Sequence, residues 1–297
     1  MISVIICSKS ESLSESLRQN IDKTIGVPYE IICINNSLNQ YSICSAYNKG
    51  IAESKYSYLC FIHEDVNFRT KNWGNILKTH LDSSNIGLIG VAGSNTMMNV
   101  PSSWSSSQEK YIHIIQSGKH SEHVRLPIEH DDLKQKVILL DGVFLCANRS
   151  LFTKIAFDEK LKGFHGYDLD ICLQSTFAGF QNYVIYDVLI EHISKGFKNK
   201  RYFENLLQIY RKWEKHIPIY DKDRYLQEDI LKIEEKQINY LFIKMIKRAF
   251  SGKEIKSTTL FYIDKIKSEK LKTKYKYIDL KIFYLQLIYK LFSRLYR

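Results

Sequence analysis

The chain has 297 residues, 44% hydrophobic and 25% charged, with a formal net charge of +11 at pH 7. That composition excludes a disordered or fibrous chain and gives enough length for one large domain and an appendage. With only 13 Gly and 4 Pro, no long flexible linker is expected. The six cysteines (Cys7, Cys33, Cys44, Cys60, Cys146 and Cys172) form no Cys-x-x-Cys pair and mostly lie in apolar runs. They read as buried thiols of a reducing compartment, not as disulfides or a zinc site. The stretch Met1–Ile6 lacks the basic start and the length of a signal peptide, and no apolar run is long enough for a transmembrane helix.

Charge is unevenly distributed. Residues 1–194 hold 17 Lys/Arg against 20 Asp/Glu, whereas residues 195–297 hold 26 against 12. The basic character therefore belongs to the C-terminal third, and it directs that third toward an anionic partner.

In chain order, Ser3–Cys7 reads as a buried strand followed by a polar loop and a helical pattern through Leu13, Leu17 and Ile21. Glu30–Ile34 is a second strand ending at Asn35-Asn36-Ser37, and Ile43–Glu53 a second helix. Tyr58–Ile62 is a third strand, and it stops abruptly at His63-Glu64-Asp65. This β-α-β-α-β order with short connections predicts a parallel, doubly wound sheet whose strands end in polar loops on one edge. That edge is where open α/β sheets bind ligands. Imidazole and carboxylates together there suit a divalent cation and a diphosphate, or else form a solvated turn. No Gly-x-Gly-x-x-Gly and no P-loop follows the first strand, which argues against a dinucleotide or triphosphate site.

A helix follows over Trp73–Leu81, then a strand over Ile86–Val91. Residues 94–136 read as a loop-rich insert of the kind that forms lids, with Trp104 in a serine-rich stretch. His113, His120, His123 and His130 in it read as surface histidines. Val137–Cys146 reads as a strand broken by Asp141-Gly142, which marks either a plain bulge or a close backbone approach at a ligand. Asp168 and Asp170 precede a helix that ends at Gly179. One could serve as an ordinary helix cap, but two beside His165 exceed what capping requires. Asn182–Asp187 is a further strand, with His192 beyond it.

These segments together resemble the nucleotide-binding half of family 2-like glycosyltransferases with the GT-A fold. The resemblance rests on Val4-Ile5-Ile6-Cys7-Ser8, Ile34-Asn35-Asn36-Ser37, Ala46 to Ala52 with Asn48 and Gly50, and Phe61-Ile62-His63-Glu64-Asp65-Val66. It covers about residues 1–215. It implies a Rossmann-like, mostly parallel central sheet with flanking helices over 1–218, and a basic C-terminal α-helical extension over 219–297. It further implies transfer of a sugar, with inversion, from a nucleotide-diphosphate-sugar to a hydroxyl of a glycan or lipid-linked saccharide of a bacterial surface polymer.

By the same resemblance, Asp65 binds a divalent metal (Mn²⁺ or Mg²⁺), with His63 and His192 as further ligands. His63 stands where the family commonly has Asp, so it either ligates the metal or touches the diphosphate directly. Ser8, Asn35 and Asn48 are implied near the nucleotide, and Asp141 and Gly142 near the donor sugar and acceptor. Asp168 matches the family's general base, although Tyr167 replaces the common Glu and Gln174 the common Arg. His63 in place of Asp and Tyr167 in place of Glu sustain an alternative: a catalytically degenerate sugar-nucleotide or glycan-binding module with a membrane or partner adaptor tail.

In the tail, Arg201–His216, 225–250 and 275–297 read as helices. In the last, Lys276, Asp279, Gln286, Lys290, Arg294 and Arg297 form a narrow polar stripe on an otherwise apolar helix. That pattern fits either an interfacial helix on an anionic membrane or a helix buried on protein. No nucleic-acid reader motif accompanies the charge, and no nucleic-acid partner is expected. The implied setting is cytoplasmic, peripheral at the inner face of the plasma membrane.

Overall fold

The structure is a computed structural model that describes the whole chain except residues 84, 118–121, 126–132, 195 and 296–297. It divides into two compact units, one of Met1–Thr96 with Trp104–Phe197 and one of Met97–Ser103 with Lys198–Arg297.

The first unit opens with β1 (Ile2–Ser8), α1 (Glu15–Thr24), β2 (Tyr29–Asn35), α2 (Ile43–Glu53) and β3 (Tyr58–Ile62). Both helices start on serine caps, Ser14 accepting from Leu17 N and Ser42 from Ser45 N. Then come β4 (Val66–Phe68), α3 (Trp73–Leu81), β5 (Ile86–Gly90) and β6 (Ala92–Ser94). Next are β7 (Lys110–Gln116), β8 (Glu122–Arg125), β9 (Lys134–Val137), β10 (Leu139–Leu140) and β11 (Phe144–Asn148). α4 (Tyr167–Phe177), β12 (Gln181–Ile185) and β13 (Ile190–His192) complete it.

The main sheet has seven strands in the order β2-β1-β3-β11-β5-β12-β9. Five of the seven run in one direction, and only β11 and β9 are reversed. The sheet is thus mixed but mostly parallel. β1 and β3 are central and apolar on both faces because helices and the second sheet cover them. Gly50 is what lets α2 lie close on β1: a Cβ there would stand 2.3 Å from Ile5 Cγ2.

A second, six-stranded sheet runs β10-β6-β7-β13-β4, with β8 on β7. It corrects the expectation of a loop-rich stretch over 94–136, because β7 and β8 fall there, as does most of β9 of the main sheet. Lys110–Gln116 is a strand because it pairs with β13, far away in sequence, on one side and with β6 and β8 on the other. Asp141-Gly142 likewise does not interrupt a single strand. It is a turn between β10 in the second sheet and β11 in the first.

His113 is a further correction. It is buried, not on the surface, with its ring 5.8 Å from that of Tyr186. His120 and His130, and the side chain of His123, lie outside the described residues.

The second unit is helical: α5 (Lys200–Lys212), α6 (Gln227–Lys247), α7 (Gly252–Ile266), α8 (Glu269–Lys274) and α9 (Ile278–Leu295). The sequence reading missed α7, which starts on a capping box between Ser251 and Glu254. Phe203, Leu207, Phe242, Met245, Tyr262 and Ile282 belong to this unit's core. The segment 97–103 joins it through paired backbone bonds between Met97 and Ile219, both 2.7 Å.

Candidate active site

The strand β3 delivers His63, Glu64 and Asp65 to the sheet edge, and the backbone N–H of His63 donates to Val143 O at 3.1 Å. β4 starts directly after Asp65 and pairs antiparallel with β13, in a register that sets His192 opposite Val66. This pairing carries His192 to Asp65. His63, Asp65 and His192 each offer one ligand atom, and the three atoms lie within 4.8 Å of one another.

Their protonation follows from their partners. Gln116 is opposite His192 in the β7–β13 ladder. Its amide nitrogen donates to His192 O at 3.0 Å and Ser194 O at 2.9 Å, so its carbonyl oxygen is what meets His192 Nδ1 at 3.3 Å. Nδ1 therefore carries the proton, and Nε2 presents a lone pair. Nε2 is buried without a hydrogen bond among the described residues, 3.5 Å from Asp65 Oδ1.

His63 is arranged in the same way. The Tyr167 hydroxyl donates to Gly142 O at 2.9 Å, and His63 Nε2 is 2.9 Å from the same hydroxyl. One hydroxyl has one proton, so His63 Nε2–H donates to Tyr167 and the lone pair is on Nδ1. Burial lowers the His63 pKa and His192 lowers it further, against the pull of Asp141, which keeps the ring neutral. Burial opposes ionisation of Asp65, but the Ser194 hydroxyl and the nearby rings of His192 and His63 outweigh that and hold its carboxyl below the usual range.

An ionised carboxylate and two imidazoles, one with an orphaned buried nitrogen, fit a divalent cation. Without one, the carboxylate faces an acceptor.

Ser8 and Asn35 are register partners at the ends of β1 and β2. The Ser8 hydroxyl donates to Glu64 Oε2 at 2.6 Å, and Lys9 N donates to the same oxygen at 3.0 Å. Glu64 thus fastens the loop after β1, a role the sequence reading left unassigned. Asn35 Oδ1 accepts from Ser37 N at 2.9 Å, turning the chain. Asn48 is engaged differently from the expectation. Its amide donates to Phe157 O and accepts from Phe157 N, at 2.9 and 3.1 Å, and also donates to Glu159.

The Asp141-Gly142 turn closes the site from β11. Asp141 Oδ2 accepts from the indole N–H of Trp104 at 2.9 Å, and Oδ1 from Val143 N at 2.8 Å. Gly142 is a close approach, to Tyr167: a Cβ there would lie 2.1 Å from the Tyr167 hydroxyl. Asp168 sits in the first turn of α4. Burial and the charge of Asp141 push its carboxyl up to about 7, against backbone hydrogen bonds from Leu169, Asp168 and Gly142. Asp170, by contrast, is 1% exposed and accepts from Gln174 Nε2 at 2.7 Å. Asp141 is the electrostatic link of the site, acting on both Asp168 and His63.

Trp104, Gln116 and Tyr167 were not singled out from the sequence as site residues. The one available signal was a Tyr where the family commonly has Glu.

A mostly parallel sheet with a ligand-type cluster at its carboxyl edge, capped by a second mixed sheet, defines a GT-A glycosyltransferase fold. Residues 3–215 match the model of the glycosyltransferase-like family, and the chain belongs to that family. Among solved structures, it aligns with S. aureus TarS 1-349 at a TM-score of 0.53 and 9% identity, covering 97% of this chain and 88% of that one. It also aligns with GalNAc-T7, solved with UDP, GalNAc and Mn²⁺, at a TM-score of 0.50 and 13% identity. That alignment covers 80% of this chain but only 54% of GalNAc-T7. A search of curated proteins returned no match.

Proposed function

We propose that this glycosyltransferase moves a sugar from a nucleotide-diphosphate donor to an acceptor hydroxyl of a glycan or lipid-linked saccharide, with inversion, in the synthesis of a bacterial surface polysaccharide. The observation that carries the reading is the pairing of two functions at one sheet edge. Ionised Asp65 with two imidazole lone pairs is a cation and diphosphate site, and Asp168 beside Asp141 is a carboxylate tuned near neutrality.

Asp168 is the base. In an inverting transfer it takes the acceptor proton as the acceptor oxygen bonds to the anomeric carbon. The bond from that carbon to the diphosphate oxygen breaks on the opposite face. A base with a pKa of about 7 is half-ionised at neutral pH and strong enough to accept that proton. A divalent ion held by His63, Asp65 and His192 would supply charge to offset the leaving diphosphate. Two nitrogen donors and one oxygen suit Mn²⁺ better than Mg²⁺, which prefers oxygen alone.

Glu64, through Ser8 and the Lys9 backbone, shapes the wall on which the nucleotide rests beside Asn35. Gly142 lets the chain pass close to Tyr167 where donor sugar and acceptor meet, and Asp141 orients that turn. The six free thiols suit a cytoplasmic setting.

The test is turnover of UDP-, GDP-, dTDP- and CMP-sugars with Mn²⁺, starting with UDP-sugars because GalNAc-T7 was solved with UDP. Asp168→Asn should lower turnover by about 10²–10⁴-fold while donor affinity is retained. Donor binding by the unaltered chain with no turnover on any acceptor would favour the binding-module reading instead.

A further inference from the structure

The helix α9 has two apolar faces, and only one is used within its unit. Ile278 and Ile282 are buried in the helical core, and Leu285 and Tyr289 pack against it. On another face, Tyr277 (just before the helix), Leu280, Tyr284, Leu287 and Leu291 recur at spacings of 3, 4, 3 and 4, with Phe283 beside them. These six side chains are 46–70% exposed. A contiguous row of large exposed apolar groups is a docking surface.

The charges around the row decide what docks there. Lys274 and Lys281 share a recess with Tyr277, Leu280, Phe283 and Tyr284. Lys276 and Lys290 flank the row along the helix. The one acid on the described part of α9, Asp279, is already paired with Lys256 at 2.6 Å. Burial holds the Lys274 ammonium below its ordinary pKa, and the positive charges of Lys281 and Lys270 lower it further. The rim is therefore chiefly cationic, and the acid that acts on Lys274, Glu235, is already engaged by Lys270 at 3.2 Å and by Ser268 at 2.6 Å.

A second copy of this chain would bring the same lysines against one another, because an isologous contact repeats one patch on both sides. A surface of anionic headgroups complements both features: its acyl boundary takes the apolar row and its charge takes the lysines. No described helix is long and apolar enough to cross a membrane, so α9 would lie in the plane of the interface. We propose that α9, through Leu280, Phe283, Tyr284 and Leu287 with Lys274, Lys276, Lys281 and Lys290, docks this protein on an anionic lipid surface.

The test is co-sedimentation of the full chain with vesicles of phosphatidylcholine alone and of phosphatidylcholine with phosphatidylglycerol. The expected result is sedimentation with the anionic vesicles only. Lys276→Glu and Lys290→Glu should each weaken partitioning about fivefold or more. Leu280→Glu with Leu287→Glu should abolish it, while the melting temperature and circular dichroism stay unchanged because both positions are exposed. Should the glutamates disturb folding, Leu280→Ser with Leu287→Ser makes the same test without added charge. Sedimentation that is equal with neutral vesicles, or absent with anionic ones, overturns the proposal. So does a dimer in analytical ultracentrifugation that Leu280→Ser dissociates, with no vesicle binding. None of these readouts depends on sugar transfer, so the docking stands or falls apart from the proposed activity.

Discussion

His63 Nε2 and the hydroxyl of Tyr167 lie 2.9 Å apart, and the same hydroxyl donates to Gly142 O. A residue of α4 thereby fixes the tautomer of a residue at the end of β3. The hydroxyl has no second proton to give, so the imidazole must donate from Nε2 and keep its lone pair on Nδ1. This is the outer-sphere arrangement that orients metal-binding histidines.

Tyr167→Phe should therefore lower Mn²⁺ affinity about 10–100-fold by titration calorimetry. It should also cost about 1–3 kcal/mol of stability, because it leaves the His63 N–H and the Gly142 carbonyl without their partner. Mn²⁺ affinity equal to that of the unaltered chain would refute the tautomer argument.

Removing a proposed ligand should act on stability through the proposed metal. The unaltered chain should gain about 2.7 kcal/mol when Mn²⁺ is present at a hundred times its dissociation constant, and lose it on chelation. His192→Ala and Asp65→Asn should each abolish that gain in a thermal-shift measurement. Retention of the full shift in either variant would remove that residue from the ligand set.

The pKa of Asp168 predicts opposite pH trends for rate and stability. As the proposed base, Asp168 works only when ionised, so turnover should rise through pH 7 and then level. For stability, the folded state keeps the Asp168 proton up to about pH 7, whereas the unfolded chain releases it near the ordinary carboxyl value of 3.8. Between those values the folded state holds more protons, so stability falls as pH rises. Asp168→Asn should flatten this slope and melt higher than the unaltered chain above pH 7. Melting curves of both proteins from acid to neutral pH measure it, and parallel slopes would count against the shift.

Asn48 separates a nucleotide contact from a structural clamp. Its amide is committed in both directions to the backbone of Phe157. Asn48→Ala should cost about 1–3 kcal/mol in urea unfolding through the unpaired main-chain groups. A change confined to nucleotide affinity, with stability intact, would restore the direct contact.

Much of the site's raw material was legible along the chain. An apolar strand pattern ending at His63-Glu64-Asp65, a polar stop at Asn35, and an acidic first turn before the α4 pattern are all local signals. Periodicity of 2 and 3.6 reports burial directly, and polar stops report strand ends. The same signals failed over 94–136, where β7 carries a mixed pattern and is held in part by β13, far off in sequence.

What the sequence by itself determined was the doubly wound core and the order in which its strands deliver polar residues to one edge, because each follows from residues within a few positions of one another. Only the tertiary structure decided what those residues can do. Gln116 reaches the backbone of His192 across 76 positions, and Tyr167 reaches His63 across 104. Trp104 meets Asp141, and Asp141 in turn raises Asp168. Proton placement and pKa depend on burial and on the nearest dipoles and charges. Those are set by strand pairing and helix packing at long range, which no local pattern encodes.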